Sequence, residues 1–270
     1  MNITFIGGGN MASAIVSGLL QRGWDRASLS AIEILPAARA KLEQALQIKT
    51  FPTVNAESIR SDCLILAIKP QQMHEVAMQL APLIGNTLVI SIAAGIRGGD
   101  LSRWLNDHKR IVRVMPNTPA LVLAGISGLY ALPGISAEDR ACTERIMGAV
   151  GETVWVDRED DIDSVTAVSG SGPAYVFYFI EALEQAARDL GMSRETARRL
   201  AIATFTGASK LAAQSSEDAA VLRARVTSKG GTTERALVSM EADAVKAAIG
   251  RAVKAAAERS RELGDELGRS

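Results

Sequence analysis

Cysteine and histidine are nearly missing from this 270-residue chain: Cys63, Cys142, His74 and His108 are its full complement. None of the four stands at metal-ligand spacing from another, so the thiols read as small apolar packing groups and no resident metal is expected. Net charge is missing too. Thirty basic and thirty acidic side chains cancel, with no block of one sign, which argues against nucleic acid or an anionic membrane as the main partner. No apolar stretch reaches membrane-spanning length, and Met1 runs straight into a strand-like segment without a signal peptide ahead of it. The expectation is a soluble, cytoplasmic protein.

Proline is absent from the last 97 residues; all eight prolines lie between Pro36 and Pro173. That absence marks a change of architecture. Up to residue 156, β-like runs at 3–6, 29–32, 63–68, 88–92, 111–115, 125–131 and 153–156 alternate with helical patterns, the signature of stacked β-α units on a mainly parallel sheet. From Asp160 onward the pattern is helical only, and aromatic residues almost vanish after Phe179. The chain therefore reads as an α/β Rossmann-type nucleotide-binding domain over 1–158 followed by an all-α domain over 159–270. Within the second, Tyr175-Val176-Phe177-Tyr178-Phe179-Ile180 is apolar on every face of its turn. About one hundred residues rarely bury such a helix alone, so a homodimer built on these helices is expected, and the all-α part becomes a dimerisation domain.

Against this background two glycine loops stand out. Gly7-Gly8-Gly9-Asn10-Met11-Ala12 follows the first strand-like run, Ile6 being its last residue, and opens a helical pattern with Ile15, Val16, Leu19 and Leu20. This is the strand-turn-helix context of a G-x-G-x-x-A dinucleotide fingerprint. The next run ends on Glu33, twenty-one residues beyond Ala12, where an acid accepts hydrogen bonds from the adenosine ribose hydroxyls and repels a 2′-phosphate. Ile34 and Leu35 offer a phosphate nothing, and Arg39 is the only nearby compensation. NADH is therefore expected over NADPH.

The second loop, Val226-Thr227-Ser228-Lys229-Gly230-Gly231-Thr232-Thr233-Glu234-Arg235-Ala236, lies more than two hundred residues further on. Adjacent glycines flanked by hydroxyls at the head of a helical pattern suit a small anion. From spacing alone the same residues also describe an ordinary Ser/Thr-capped helix start.

Four more Gly-, Ser-, Thr- or Pro-rich segments interrupt the regular pattern: Ala67-Ile68-Lys69-Pro70, Ile92-Ala93-Ala94-Gly95, Met115-Pro116-Asn117-Thr118-Pro119-Ala120 and Val168-Ser169-Gly170-Ser171-Gly172-Pro173-Ala174. The first three close strand-like runs, whose carboxyl ends converge on the ligand crevice in this architecture; Ala93, Ala94 and Gly95 are small enough to admit a nicotinamide ring. Gly7–Ala12, Ala67–Pro70, Met115–Ala120, Ser169–Tyr175 and Val226–Thr233 together resemble the pyrroline-5-carboxylate reductase family, in the same order over essentially the whole chain.

The resemblance implies reduction of Δ1-pyrroline-5-carboxylate to L-proline by NADH or NADPH, in dimers that often assemble into decamers. It implies that Ser228, Gly230, Gly231, Thr232 and Thr233 hold the substrate carboxylate, with Thr233 also hydrogen-bonding the ring nitrogen. Asn55 matches an asparagine near the adenosine ribose, Lys69 with Pro70 a cofactor-contacting strand end, and Asn117 joins the cofactor contacts. Lys229 departs from the proline that many members carry. A β-hydroxyacid dehydrogenase would share the first fingerprint but needs a lysine on the first long helix of the second domain, and no lysine occurs between Lys109 and Lys210. A non-catalytic nucleotide sensor would leave the distant glycine loop unexplained.

Overall fold

A computed structural model describes residues 1–269, and in it the apolar runs become one eight-stranded sheet. In chain order its first half is β1 (Ile3–Ile6), α1 (Asn10–Gln21), β2 (Leu29–Ile32), α2 (Pro36–Leu46), β3 (Lys49–Phe51), β4 (Cys63–Leu66), α3 (Met73–Leu80) and β5 (Leu88–Ser91). The second half is α4 (Gly98–Trp104), β6 (Ile111–Met115), β7 (Gly125–Ala131), α5 (Ala137–Met147) and β8 (Gly151–Trp155). The spatial order is β3-β2-β1-β4-β5-β6-β7-β8, parallel throughout except where β7 runs against β6. The order reverses beside β1, which pairs with β2 on one side and β4 on the other. A crevice opens outside the carboxyl ends of strands at such a switch point.

Helices cover both faces of the sheet, which is why β4 reads as an unbroken apolar run. Cys63 and Ile65 enter one core cluster while Leu64 and Leu66 enter the other, all four fully buried. Burial pushes both the Cys63 and Cys142 thiols up, as expected for inert packing groups. Three strand ends fall short of the expected runs: β4 stops at Leu66, β5 at Ser91 and β8 at Trp155. The three-residue edge strand β3 has no counterpart among the expected runs.

Beyond the sheet come α6 (Asp161–Val165), a π-helical stretch (Thr166–Gly170), α7 (Gly172–Asp189), α8 (Arg194–Gln214), α9 (Ala219–Arg225), α10 (Thr232–Ala242) and α11 (Val245–Leu267). By contacts the chain forms two units, one of residues 172–254 and one of the remainder. Residues 159–171 and 255–269 thus pack with the sheet. The cause is visible in side chains: Ile162 and Ala167 are buried, and Ser260 Oγ donates to Asp163 Oδ1 at 2.5 Å.

In the second unit α7 packs on α8, yet among its described residues only Ala197 and Ala201 are buried. Phe177 is 66% exposed and Tyr178 71%. Among the described residues, this apolar stretch of α7 thus leaves its two largest exposed rings uncovered. Among the described residues no helix is long and apolar enough to cross a membrane.

Candidate active site

The first glycine loop is built into the core. Gly7 has φ +99° and donates its N–H to Ile32 O at 2.8 Å. A Cβ there would sit 2.6 Å from Ala67 O, so only glycine lets the loop cross the end of β4 so closely. Gly9 is the N-cap of α1, and no side chain caps it. A Cβ on Gly9 would meet nothing within 4 Å. Open space therefore fronts a helix start whose first N–H groups have no intrahelical partner, a fit for pyrophosphate.

Glu33 lies beside this loop and is held firmly. Its Oε2 accepts from Gly8 N at 3.0 Å and its Oε1 from Leu35 N at 2.9 Å. Arg39, just beyond, donates Nη1 to the carbonyls of Glu33 and Ile34 at 2.8 and 3.0 Å. Its guanidinium thus ties down the backbone that carries the acid.

Ile6, Gly7, Gly8, Gly9, Glu33, Ala67, Ile68 and Lys69 line one cleft of about 460 Å³ at the carboxyl ends of β1, β2 and β4. Gln72, Glu75, Val76 and Gln79 line it too, and sequence reasoning missed them. Their spacing of three, four and seven residues along the α3 segment after Pro70 was the available signal. Asn10, Met11, Asn55, Pro70, Ala93, Ala94, Gly95 and Asn117 lie outside this lining. Asn55 is exposed, and its Oδ1 accepts from Glu57 N and Ser58 N in a local turn. Asn117 is buried; its Oδ1 accepts from Ile126 N at 2.9 Å while its Nδ2 donates to Ser169 O at 3.2 Å. The structure uses both asparagines to shape backbone.

Ala93, Ala94 and Gly95 form the turn after β5, with Gly95 at φ +72°. Behind it, Glu159 Oε1 accepts from Gly98 N and from Arg113 Nη1, both at 2.6 Å. Arg113 is only 6% exposed, and the carboxylate gives that buried charge its partner.

The second glycine loop is local and open. Gly230 has φ +73°, and Gly231 is the N-cap of α10 with no side chain capping it. Thr232 and Thr233 are the first two helical residues. Gly231 N donates to Ser228 O at 3.0 Å, and Ser228 Oγ lies 2.7 Å from where a Gly231 Cβ would stand. Gly230 N is not free: Glu234 Oε2, one turn into the helix, accepts from it at 2.6 Å. The loop thus gathers hydroxyls and first-turn N–H groups at one helix end, with a carboxylate already drawn to it.

A larger cavity of about 730 Å³ opens at the amino ends of β1, β4, β5 and β6, among Met1, Asp62, Arg110, Asp139 and Cys142. Its strongest charges satisfy one another. Arg110 donates Nε and Nη2 to the two oxygens of Asp139 at 2.9 and 2.7 Å, holding that carboxyl below its usual range, and Nη1 to Asn86 O. It lies away from the strand ends where this architecture binds ligands.

Comparison with known proteins agrees with the two-part organisation. Residues 159–263 match the family described as pyrroline-5-carboxylate reductase dimerisation, and residues 2–95 the family described as NADP oxidoreductase, coenzyme F420-dependent. The pyrroline-5-carboxylate reductase of Pseudomonas aeruginosa is 44% identical over 268 residues, covering 98% of each chain. The solved pyrroline-5-carboxylate reductase of Coxiella burnetii superposes with a TM-score of 0.92 at 39% identity, over 97% of this chain and 98% of that one. The Plasmodium falciparum enzyme, solved with NADP bound, gives 0.86 at 30% identity over 98% of both chains. With such relatives along nearly its whole length, the chain belongs to the pyrroline-5-carboxylate reductase family.

Proposed function

We propose that this oxidoreductase reduces Δ1-pyrroline-5-carboxylate to L-proline, the last step of proline biosynthesis, with NADH preferred over NADPH. The observation that carries the reaction is the near-complete match to pyrroline-5-carboxylate reductases combined with two uncapped, glycine-started helices in one chain. Bound NAD(P)H supplies the hydride. The work left to the protein is positioning, which in well-oriented intramolecular models contributes roughly 7–11 kcal/mol.

Each residue's part follows from its chemistry. Gly7 to Gly9 and the start of α1 hold pyrophosphate; Glu33 accepts from the ribose hydroxyls; Ala67 to Pro70 and Ala93 to Gly95 line the path toward the nicotinamide. Ser228, Gly230, Gly231 and Thr232 hold the substrate carboxylate, and Thr233 hydrogen-bonds the ring nitrogen. The substrate carries its own electrophile, a C=N bond that becomes more reactive once protonated, so the lack of a His, Cys or carboxylate catalytic cluster is no obstacle.

The NADH preference is supported by the pinning of Glu33 between two backbone N–H groups. To make way for a 2′-phosphate the carboxylate would give up both bonds, each worth about 1.5–3 kcal/mol for a charged acceptor. The minimum assembly is a dimer, supported by the bare apolar face of α7 and the dimerisation-family match, with each site completed by helical residues of the partner. Decamers are the further assembly that family resemblance implies, and a biosynthetic step drawing on the cell's NAD(P)H supports a cytoplasmic setting. Pyrroline-5-carboxylate-dependent oxidation of NADH by the purified chain tests the reaction, and light scattering tests the assembly. No substrate-dependent oxidation, or full activity from a monomer, overturns the corresponding part.

A further inference from the structure

The end of α11 has no part in either glycine loop, yet it is fastened to the turn after β5 at several independent points. Its buried face repeats at helical spacing through Ala257, Ser260 and Gly264. Leu263 and Leu267 lie directly behind Gly95: a Cβ on that glycine would stand 3.2 Å from Leu263 Cβ and 3.2 Å from Leu267 Cδ1. Gly264 leaves room for the Arg97 guanidinium, whose Nε lies 3.1 Å from where a Gly264 Cβ would be, and Arg97 Nη2 pairs with Asp265 Oδ1 at 2.6 Å. Arg103 on α4 donates Nη2 to Gly268 O at 2.9 Å, satisfying a carbonyl that the helix end leaves over. On the far flank Glu159 holds Gly98 N.

We infer that the C-terminal part of α11 is a positioning element for the nicotinamide-facing turn, with Leu263 and Leu267 as backstop and Asp265 as tether. The inference rests on the reading that residues 93–95 face the nicotinamide. Ala93 and Ile96 anchor the two ends of the turn in the core, but Gly95 between them, at positive φ, has no side chain of its own to fix it. The helix supplies packing behind Gly95; Ala93 and Gly95 are buried and Ala94 is half-buried, so Ala94 is the residue of the three that can meet the ring. The exposed Arg97–Asp265 pair contributes little alone, so the leucines carry most of the effect and the pair sets the register. None of these groups touches reacting atoms; they act through the turn.

The experiment combines Leu263→Ala/Leu267→Ala with Asp265→Lys, which puts like charge against Arg97 on an exposed rim and leaves the core unchanged should the double variant fail to fold. Amide hydrogen exchange over residues 92–98 of the free protein is expected to rise at least tenfold in the double leucine variant and about threefold in Asp265→Lys. Single-turnover hydride transfer should fall about tenfold, because small misplacements weigh heavily on near-attack geometry. The primary deuterium isotope effect from 4-deuterated NADH should grow, while the NADH dissociation constant changes less than twofold. Leu263→Met in an otherwise wild-type chain should keep both exchange and rate at their wild-type values. Unchanged exchange, or faster exchange with an unchanged hydride rate, overturns the inference. Ala94→Trp separates this from the reading beneath it. If bulk there leaves hydride transfer intact, residues 93–95 do not face the ring. If it blocks transfer while the helix variants do not slow it, only the positioning role falls.

Discussion

The helices α1 and α10 begin alike and are housed differently. Each starts on a glycine N-cap that no side chain caps, and each has a glutamate carboxylate on a neighbouring glycine N–H: Glu33 on Gly8, Glu234 on Gly230. The first loop is walled by core backbone, and its acid comes from another strand. The second is exposed, a Cβ on Gly230 would meet nothing within 4 Å, and its acid comes from its own helix. A loop that grips a large, constant ligand can be built into a sheet. The second loop is assembled from local backbone, and on the proposed reading as a carboxylate site it keeps a spare carboxylate of the wrong sign for its ligand.

The widest gap between the loops should appear when each glycine gains one methyl group. Gly7→Ala forces a left-handed residue against Ala67 O and is expected to cost about 3 kcal/mol while abolishing measurable NADH binding. Gly230→Ala meets only the backbone penalty, about 1 kcal/mol. Urea unfolding and NADH titration measure both. Equal costs would mean that the first loop is no more enclosed than the second.

Thr233→Ala probes what the open loop does. A hydroxyl that orients the ring nitrogen should take about 10- to 100-fold from kcat, at the lower end of what a lost general acid costs. NADH affinity should be untouched. Steady-state constants identical to wild type would remove Thr233 from the site and return the loop to an ordinary helix start.

The enclosed loop was also the more legible one. A strand-like run, G-x-G-x-x-A and an acid at the next strand end are all local patterns, and Ile6 to Gly9, Glu33 and Ala67 to Lys69 do meet in one cleft. Edge strand β3 escaped because Lys49-Thr50-Phe51 is too short to show alternation. An amide's hydrogen-bond destination is set by folded neighbours, so the backbone partners of Asn55 and Asn117 could not be read from the sequence. The return of α11 to the sheet was hidden because a stripe of Ala257, Ser260 and Gly264 reads equally as a plain surface until Arg97 and Asp163 are found against it.

Glu33→Ser sharpens the comparison from the enclosed side. The wild-type carboxylate at a 2′-phosphate costs on the order of 1–4 kcal/mol, so NADH should lead in kcat/KM by roughly tenfold or more. Serine removes the charge and the clasp on Gly8 N and Leu35 N, and the preference should narrow to within about threefold or reverse. A wild-type enzyme favouring NADPH tenfold would show that the acid does not meet the ribose. Arg39→Ala, which frees the carbonyls of Glu33 and Ile34, should weaken the preference in the same direction by a smaller factor.

The smallest expected effect is the most specific to the open loop. Glu234 occupies Gly230 N, a donor that the substrate carboxylate would use on the proposed reading, and it brings negative charge to that loop. Removing the charge while keeping the shape should therefore help the substrate. Glu234→Gln is expected to lower KM for pyrroline-5-carboxylate about two- to fivefold, equivalent to roughly 0.4–1 kcal/mol, with kcat nearly constant. The wild-type penalty is partly electrostatic, so it should shrink with added salt, and the two enzymes should converge between low and high ionic strength. The contrary force is the helix itself: the carboxylate steadies the first turn of α10, and glutamine is a weaker acceptor there. If KM rises instead and the melting temperature falls with it, Glu234 serves the fold more than it hinders the ligand, and the two glycine loops differ only in their housing.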